Sequence, residues 1–371
     1  MRKNVNIKIH IFEVFCKNIS YRMRYVGQSS GNMDAERRMQ EMEDWKKTKT
    51  GQFDVRTDLA LEERESFEGD GGEVSGVSLR EWDRKKTGVK LTEVRILNEQ
   101  GAKAMGKPVG TYLTLEADRL SKKDEEYHSE ISDELGEQLR KLMDEMLKGK
   151  KRGEVLSVLV VGLGNPSVTP DSLGPRVLGN LQVTRHLTGQ YGEDFLKKRG
   201  LPAISGIAPG VMAQTGMETA EILKGIIQQT KPHLLIAIDA LAARSVHRLG
   251  TTIQLTDTGI HPGSGVGNHR HSLTEESLGL PVLAIGVPTV VGAAAIVHDT
   301  VSALINALNM RESTKSTGEW VGGMNSEDQY ELIRELLEPE FGPLYVTPPD
   351  IDETVKQLSF TISEGIHRAV F

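Results

Sequence analysis

Two aspartates stand where an α/β chain presents its chemistry. Asp171 closes the run Gly162-Leu163-Gly164-Asn165-Pro166-Ser167-Val168-Thr169-Pro170-Asp171, which follows the apolar segment Val155–Val161, and Asp239 directly follows Leu234–Ile238. In an open parallel sheet, ligands bind outside the carboxyl ends of the strands, so both carboxylates are expected on one rim. A third segment, 251–255, is followed by Asp257 and the loop Gly259-Ile260-His261-Pro262-Gly263-Ser264-Gly265, which would bring His261 between them. Two carboxyls held close can share one proton, because repulsion between their charges raises one pKa. One group then acts as base and the other as acid, and the pair titrates as a unit. Each residue also has a plainer reading. An Asp after a strand often caps the next helix, and Asp171 fits either role. Burying a lone carboxylate at the end of an apolar strand is costly, which favours chemistry for Asp239. His261, taken alone, reads as a loop residue.

Other chemistries lack their residues. Gly162-x-Gly164 starts like a dinucleotide fingerprint, but Ser167 holds the third glycine position. Leu181-Gln182-Val183-Thr184 stands where the acidic ribose partner belongs. There is no Walker GK[ST], no HExxH and no GxSxG; Gly263-Ser264-Gly265 is too short for the last. The single cysteine, Cys16, permits no intrachain disulfide and no zinc cluster; this composition suits a reducing cytoplasm. No metal or cofactor is expected.

The elements that must position these groups are legible as alternating patterns. Val155–Val161 is a continuous apolar run, as a strand buried on both faces requires. Ala203–Ile207, Leu234–Ile238 and Val282–Gly286 are similar, and helical segments from Gly174, over 215–229 and over 293–308 separate them. Strands alternating with helices predict an α/β architecture: a doubly wound, mainly parallel sheet with flanking helices. Strand-like runs at Val89–Leu97 and Thr111–Glu116 and a helix over 124–150 add an N-terminal α/β portion. Residues 53–85 read as polar and acidic, with a loop at Gly69–Gly72, and the tail from Glu327 reads as two helices separated by Pro348-Pro349. Residues 1–32 are basic and foreign to the rest. Translation is expected to begin at Met33, ahead of a charged helix over 34–49.

The net charge of −7, from 45 basic and 52 acidic residues, argues against a protein that coats nucleic acid, which needs a basic face. No stretch approaches the roughly 18 apolar residues of a membrane span.

Several motifs, in order, resemble those of one family. They are Val55-Arg56-Thr57-Asp58-Leu59-Ala60 with Glu62; Val161–Asn165 with Thr169-Pro170-Asp171-Ser172-Leu173-Gly174-Pro175; and Gly206–Met212 with Gln214–Thr219. Ile238-Asp239-Ala240-Leu241-Ala242-Ala243-Arg244 and His261–Asn268 complete the set. Together they resemble the germination proteases of endospore-forming bacteria, from about residue 53 to the C-terminus. Residues 1–50 are not covered, and a leader this long departs from the family's short ones.

The resemblance implies an endopeptidase of aspartic type, with Asp171 and Asp239 as the catalytic pair. It implies a fold similar to that of hydrogenase maturation proteases and phosphorylases. Those maturation proteases hold nickel at positions that correspond roughly to Asp171, Asp239 and His261, whereas germination proteases need no metal; His261 is therefore carried only as an auxiliary. The resemblance further implies a zymogen that removes its own propeptide, residues 1–58, by a cut between Asp58 and Leu59, leaving 59–371 as the mature α/β protease. It implies a homotetramer in the forespore and spore core, whose substrates are the small acid-soluble proteins that protect spore DNA. Gly162 and Gly164 are expected to offer backbone N–H groups to an oxyanion.

Three rivals remain at this stage. Gly162–Pro166 and Arg185-His186 also resemble peptidyl-tRNA hydrolases, which would want a basic face. A nickel-dependent maturation protease is the second, and a paralogue that only binds spore proteins is the third.

Overall fold

The apolar runs become strands of one sheet in the computed structural model, which describes residues 57–65, 67, 74–148, 154–261, 271–309 and 326–371. The leader and the expected helix over 34–49 lie outside the described residues, as does most of the loop after His261. Asp54–Phe371 forms a compact unit by itself.

In chain order the elements are α1 (Ala60–Glu65), β1 (Val77–Arg84), β2 (Val89–Ile96), α2 (Glu99–Met105), β3 (Gly110–Glu116), α3 (Glu125–Met146) and β4 (Ser157–Gly162). A 3-10 turn, Thr169–Asp171, leads into α4 (Leu173–Asn180), α5 (Arg185–Tyr191), α6 (Glu193–Arg199) and β5 (Ala203–Ile207). Then come α7 (Met212–Thr215), α8 (Thr219–Thr230), β6 (Leu234–Ala243), a 3-10 turn (Val246–Arg248), β7 (Thr252–Thr256) and α9 (Glu275–Leu278). The chain ends with β8 (Val282–Gly292), α10 (Ala293–Asn309), α11 (Ser326–Phe341), β9 (Tyr345–Val346) and α12 (Ile351–Val370).

The strands lie in the order β1-β2-β3-β7-β8-β6-β4-β5, with β9 on β8. β8, β6, β4 and β5 run parallel. Every other pairing is antiparallel. The expected α/β class with flanking helices is therefore present, but the sheet is mixed rather than mainly parallel. Connection length explains the difference. A parallel crossover needs a dozen or more residues, and only residues 244–251 separate β6 from β7. β7 must therefore return antiparallel. β1, β2 and β3 then follow as a meander, β1–β2 joined through residues 85–88.

Alternation divides the parallel strands between two cores. Val158 and Val160 of β4, with Ile236 and Ile238 of β6, face a core closed by Leu135 of α3, Val177 of α4 and Leu358 of α12. Leu159 and Val161, with Leu235, Ala237, Leu241 and Ala243, face the opposite core, which Leu223 of α8, Leu278 of α9 and Ala295 of α10 close. Leu59 is fully buried in this second core. Helix ends follow local chemistry: Asp124 caps α3 by accepting from the Tyr127 N–H, and Glu218 and Glu221 form a capping box on α8.

β1 lies inside residues 53–85, read as polar and acidic with no strand assigned. It is an edge strand with most side chains exposed, so it carries no apolar run to betray it. β6 also outlasts its expected end at Ile238, continuing to Ala243 with a register shift between Leu241 and Ala242.

Candidate active site

The loop after β4 is built on close backbone contact. Leu163 N–H donates to the Ile238 carbonyl at 2.8 Å, extending the ladder past Gly162. α4 then starts directly against this turn: a Cβ on Gly162 would lie 2.3 Å from the Gly174 carbonyl oxygen, and one on Gly174 would lie 2.3 Å from that of Leu163. Gly164 has φ +109° and would bring a Cβ within 2.0 Å of the Asp171 carbonyl oxygen. The glycines are thus required for approach and conformation. Two amides of this turn are already committed, Leu163 N–H to Ile238 and Asn165 N–H to Asp171 Oδ2 at 2.7 Å.

Asp171 ends the 3-10 turn, which packs against β6, β8 and α12. Its carboxylate does not cap α4, whose N-cap is Ser172; it holds the Asn165 amide instead. Asp239 lies inside β6, in register with Gly286 of β8, and is 6 % exposed. Its Oδ1 accepts from the Ala240 N–H at 2.9 Å. Alternation places its side chain on the face of Leu235, Ala237 and Leu241. Gly162 is in register with Ile238. Asp239 therefore flanks one side of the Gly162–Gly164 turn, and Asp171 abuts Gly164.

The third strand does not open onto this rim. β7 runs antiparallel to β8, so the chain leaves its far end at Asp257; His261, farther along, lies close enough to Lys107 and Asp58 for their charges to act on it. Asp257 accepts from the Thr111 N–H at 2.7 Å, and burial raises its pKa. The His261 pKa lies below its ordinary value: desolvation lowers it most, the Lys107 ammonium lowers it further, and Asp58 opposes both. Among the described residues, no group of three or more His, Cys, Asp or Glu is placed to hold a metal ion. No described helix is long and apolar enough to cross a membrane.

The segment from Thr57 to Glu62 is held by both main chain and side chains. Asp58 N–H donates to the Ala242 carbonyl at 3.0 Å, and the Ala242 N–H donates to Asp58 Oδ2 at 2.9 Å. Leu59 N–H donates to Thr57 Oγ1 at 3.1 Å, and that hydroxyl donates to Glu62 Oε2. Glu62, 3 % exposed, also accepts from the N–H groups of Arg244 and Ser245. Arg248 pairs with Glu62, Glu65 and Glu116 at 3.4, 2.7 and 2.6 Å. Burial opposes the charge on Arg248, but the carboxylates of Glu65, Glu116 and Glu62 outweigh it and raise its pKa. Sequence reasoning missed Arg248, Gln254 and Lys107. A polar Gln inside the apolar β7 run, Thr-Ile-Gln-Leu-Thr, was the one visible signal.

Comparison with known proteins adds an independent line. The family model described as "Germination protease" matches residues 55–320. The germination protease of Caldanaerobacter subterraneus subsp. tengcongensis is 48% identical over 321 residues, covering 85% of this chain and 94% of that protein. That of Clostridium tetani is 41% identical over 318 residues, covering 85% and 95%. That of a Geobacillus species is 37% identical over 358 residues, covering 86% and 94%.

Proposed function

This chain belongs to the germination protease family, and on that premise we propose that it is a self-processing spore endopeptidase in which Asp171 and Asp239 form the catalytic pair. Its substrates on this reading are the small acid-soluble proteins that cover spore DNA, cut as germination begins in the spore core. Its working form is a homotetramer.

The observation that carries the mechanism is the Gly162–Gly164 turn with one aspartate on each side. Peptide hydrolysis needs an activated water and a proton for the departing amine. The ionised member of the pair takes a proton from water as the oxygen attacks the scissile carbonyl. The protonated member later supplies a proton to the amine. The burial of Asp239 favours a pair that carries one proton, since a buried charge beside a second like charge is costly.

Self-processing removes residues 1–58. The Thr57–Glu62 segment is bound to β6 through Asp58 and to the protein interior through Leu59 and Glu62. Held there at high effective concentration, it competes with free substrate until it is cut. The test is incubation of the full chain, and of residues 59–371, with a small acid-soluble spore protein, followed by mass spectrometry. A precursor that converts to a chain starting at Leu59 and then cleaves the spore protein supports the reading. An active enzyme with an intact N-terminal segment would refute the zymogen part, and no cleavage by either form would refute the activity.

A further inference from the structure

The carbonyl oxygen of Asp58 accepts from two side chains, Lys107 Nζ at 3.2 Å and Gln254 Nε2 at 3.2 Å. The same Gln254 amide accepts from the Ala60 N–H through Oε1 at 2.8 Å, so it grips the chain on both sides of Leu59. Gln254 is in register with Gly286, and Gly286 with Asp239. The neighbours Ile253 and Leu255 face the first core, so Gln254 faces the same side of the sheet as Asp239. The Asp58–Leu59 peptide is therefore held by its carbonyl, by the Asp58 amide on Ala242 and by the fully buried Leu59 side chain.

The chemistry of peptide hydrolysis gives these donors a use. When water oxygen bonds to the carbonyl carbon, negative charge gathers on the carbonyl oxygen. Fixed donors aimed at that atom stabilise the transition state. Lys107 brings a full positive charge and Gln254 a buried amide N–H, and neither gives up a proton. The tetrahedral adduct collapses with breakage of the C–N bond, the amine leaves with a proton from the aspartate pair, and Asp58 becomes a free carboxylic acid. Neither donor is otherwise committed among the bonds described. The Lys107 ammonium donates to the carbonyls of Thr57 and Asp58, with His261 close enough to feel its charge, and the Gln254 side chain bonds this segment. A buried amide whose partner departs is left wanting one. We infer that Lys107 and Gln254 are the oxyanion donors for cleavage of the Asp58–Leu59 bond, and that they hold the scissile carbonyl of a protein substrate once the propeptide has gone. This rests on the reading of Asp58–Leu59 as the processed bond.

The test compares full-length wild type, Lys107→Met, Lys107→Arg, Gln254→Ala and Gln254→Glu. Conversion of precursor is followed by mass spectrometry, and folding by circular dichroism. Loss of one such donor costs on the order of 100-fold in rate; that loss is expected for Lys107→Met and Gln254→Ala, with Lys107→Arg recovering most of it. Gln254→Glu should be slow near neutral pH. Its rate relative to wild type should recover as pH falls toward about 4.3, where a protonated carboxyl can again donate. A merely structural role would produce neither the arginine rescue nor the acid recovery. Should a Gln254 variant fail to fold, the Lys107 pair decides alone. Wild-type rates in Lys107→Met, with wild type itself starting at Leu59, would overturn this inference and leave the proposed function standing. A wild-type start elsewhere would remove both this inference and the assigned processing site.

Discussion

The α-carbon of Gly164 lies so close to Asp171 that a methyl group added to it would stand 2.0 Å from the Asp171 carbonyl oxygen. Gly164 also has φ +109°, a conformation that disfavours any side chain. Gly164→Ala must push the 3-10 turn, and the Asp171 carboxylate with it, away from Gly164. A displacement of about 1 Å at reacting groups costs on the order of 100-fold. The expected result is a comparable loss of precursor conversion and a lower melting temperature. Gly179→Ala is the control: nothing lies within 4 Å of its added Cβ, so conversion should be unchanged. Normal conversion by Gly164→Ala would show that this contact does not position Asp171.

Asp171→Asn and Asp239→Asn should each leave the precursor uncut and folded. Asparagine keeps the side-chain oxygens that accept from Asn165 and Ala240 but cannot carry the shared proton. Because the two groups act as a unit, the double variant should be no slower than the worse single one. Time courses by mass spectrometry check this, and near-normal turnover in either folded variant would remove that residue from the mechanism.

Arg248 ties the segment behind the processed bond to the body of the protein. It pairs with the buried Glu62 and with Glu65 and Glu116. Arg248→Met leaves Glu62 its backbone donors but removes its counter-charge. Breaking such a pair from one side costs about 3 kcal/mol. Glu65 is 54% exposed, so Glu65→Gln should cost under about 1 kcal/mol. Urea unfolding of the two variants reads the difference, and equal effects would contradict the ordering.

His261 should make stability pH-dependent. Its folded pKa lies below the ordinary value through desolvation and the nearby Lys107, so the fold favours the neutral ring, by an amount that solvent screening keeps small because the residue is exposed. That contribution is complete above the unfolded value of about 6.5 and is lost as pH falls through the folded pKa. His261→Gln cannot charge. Wild type should therefore lose more stability than the variant between about pH 7.5 and about pH 5, measured by denaturant unfolding at each pH. Equal losses would refute the assignment.

The sequence alone was enough for the parallel half of the sheet. β4 within Val155–Gly162 and β6 over Leu234–Ile238 are strands buried on both faces, and such strands carry an unbroken apolar signal; Ala203–Ile207, at the sheet edge, is buried only at its start. Asp239 drew notice for the same reason, as a polar residue directly after an apolar run, and Asp171 as the aspartate that closes the glycine-rich loop after another. β1 escaped because an edge strand buries little. The direction of β7 escaped because periodicity reports which face a residue takes and not which way its strand runs.

What the sequence by itself determined was therefore the class, the family motifs and the two aspartates beside a glycine turn. Only the tertiary structure decided that Asp257 leaves the far end of an antiparallel strand. Only it decided that Lys107 and Gln254, distant in sequence from each other and from Asp58, meet at one carbonyl oxygen. The physical reason is that motif and burial are local properties of a chain. Strand direction depends on the length of each connection, and a cluster of donors depends on contacts between segments as far as 196 residues apart.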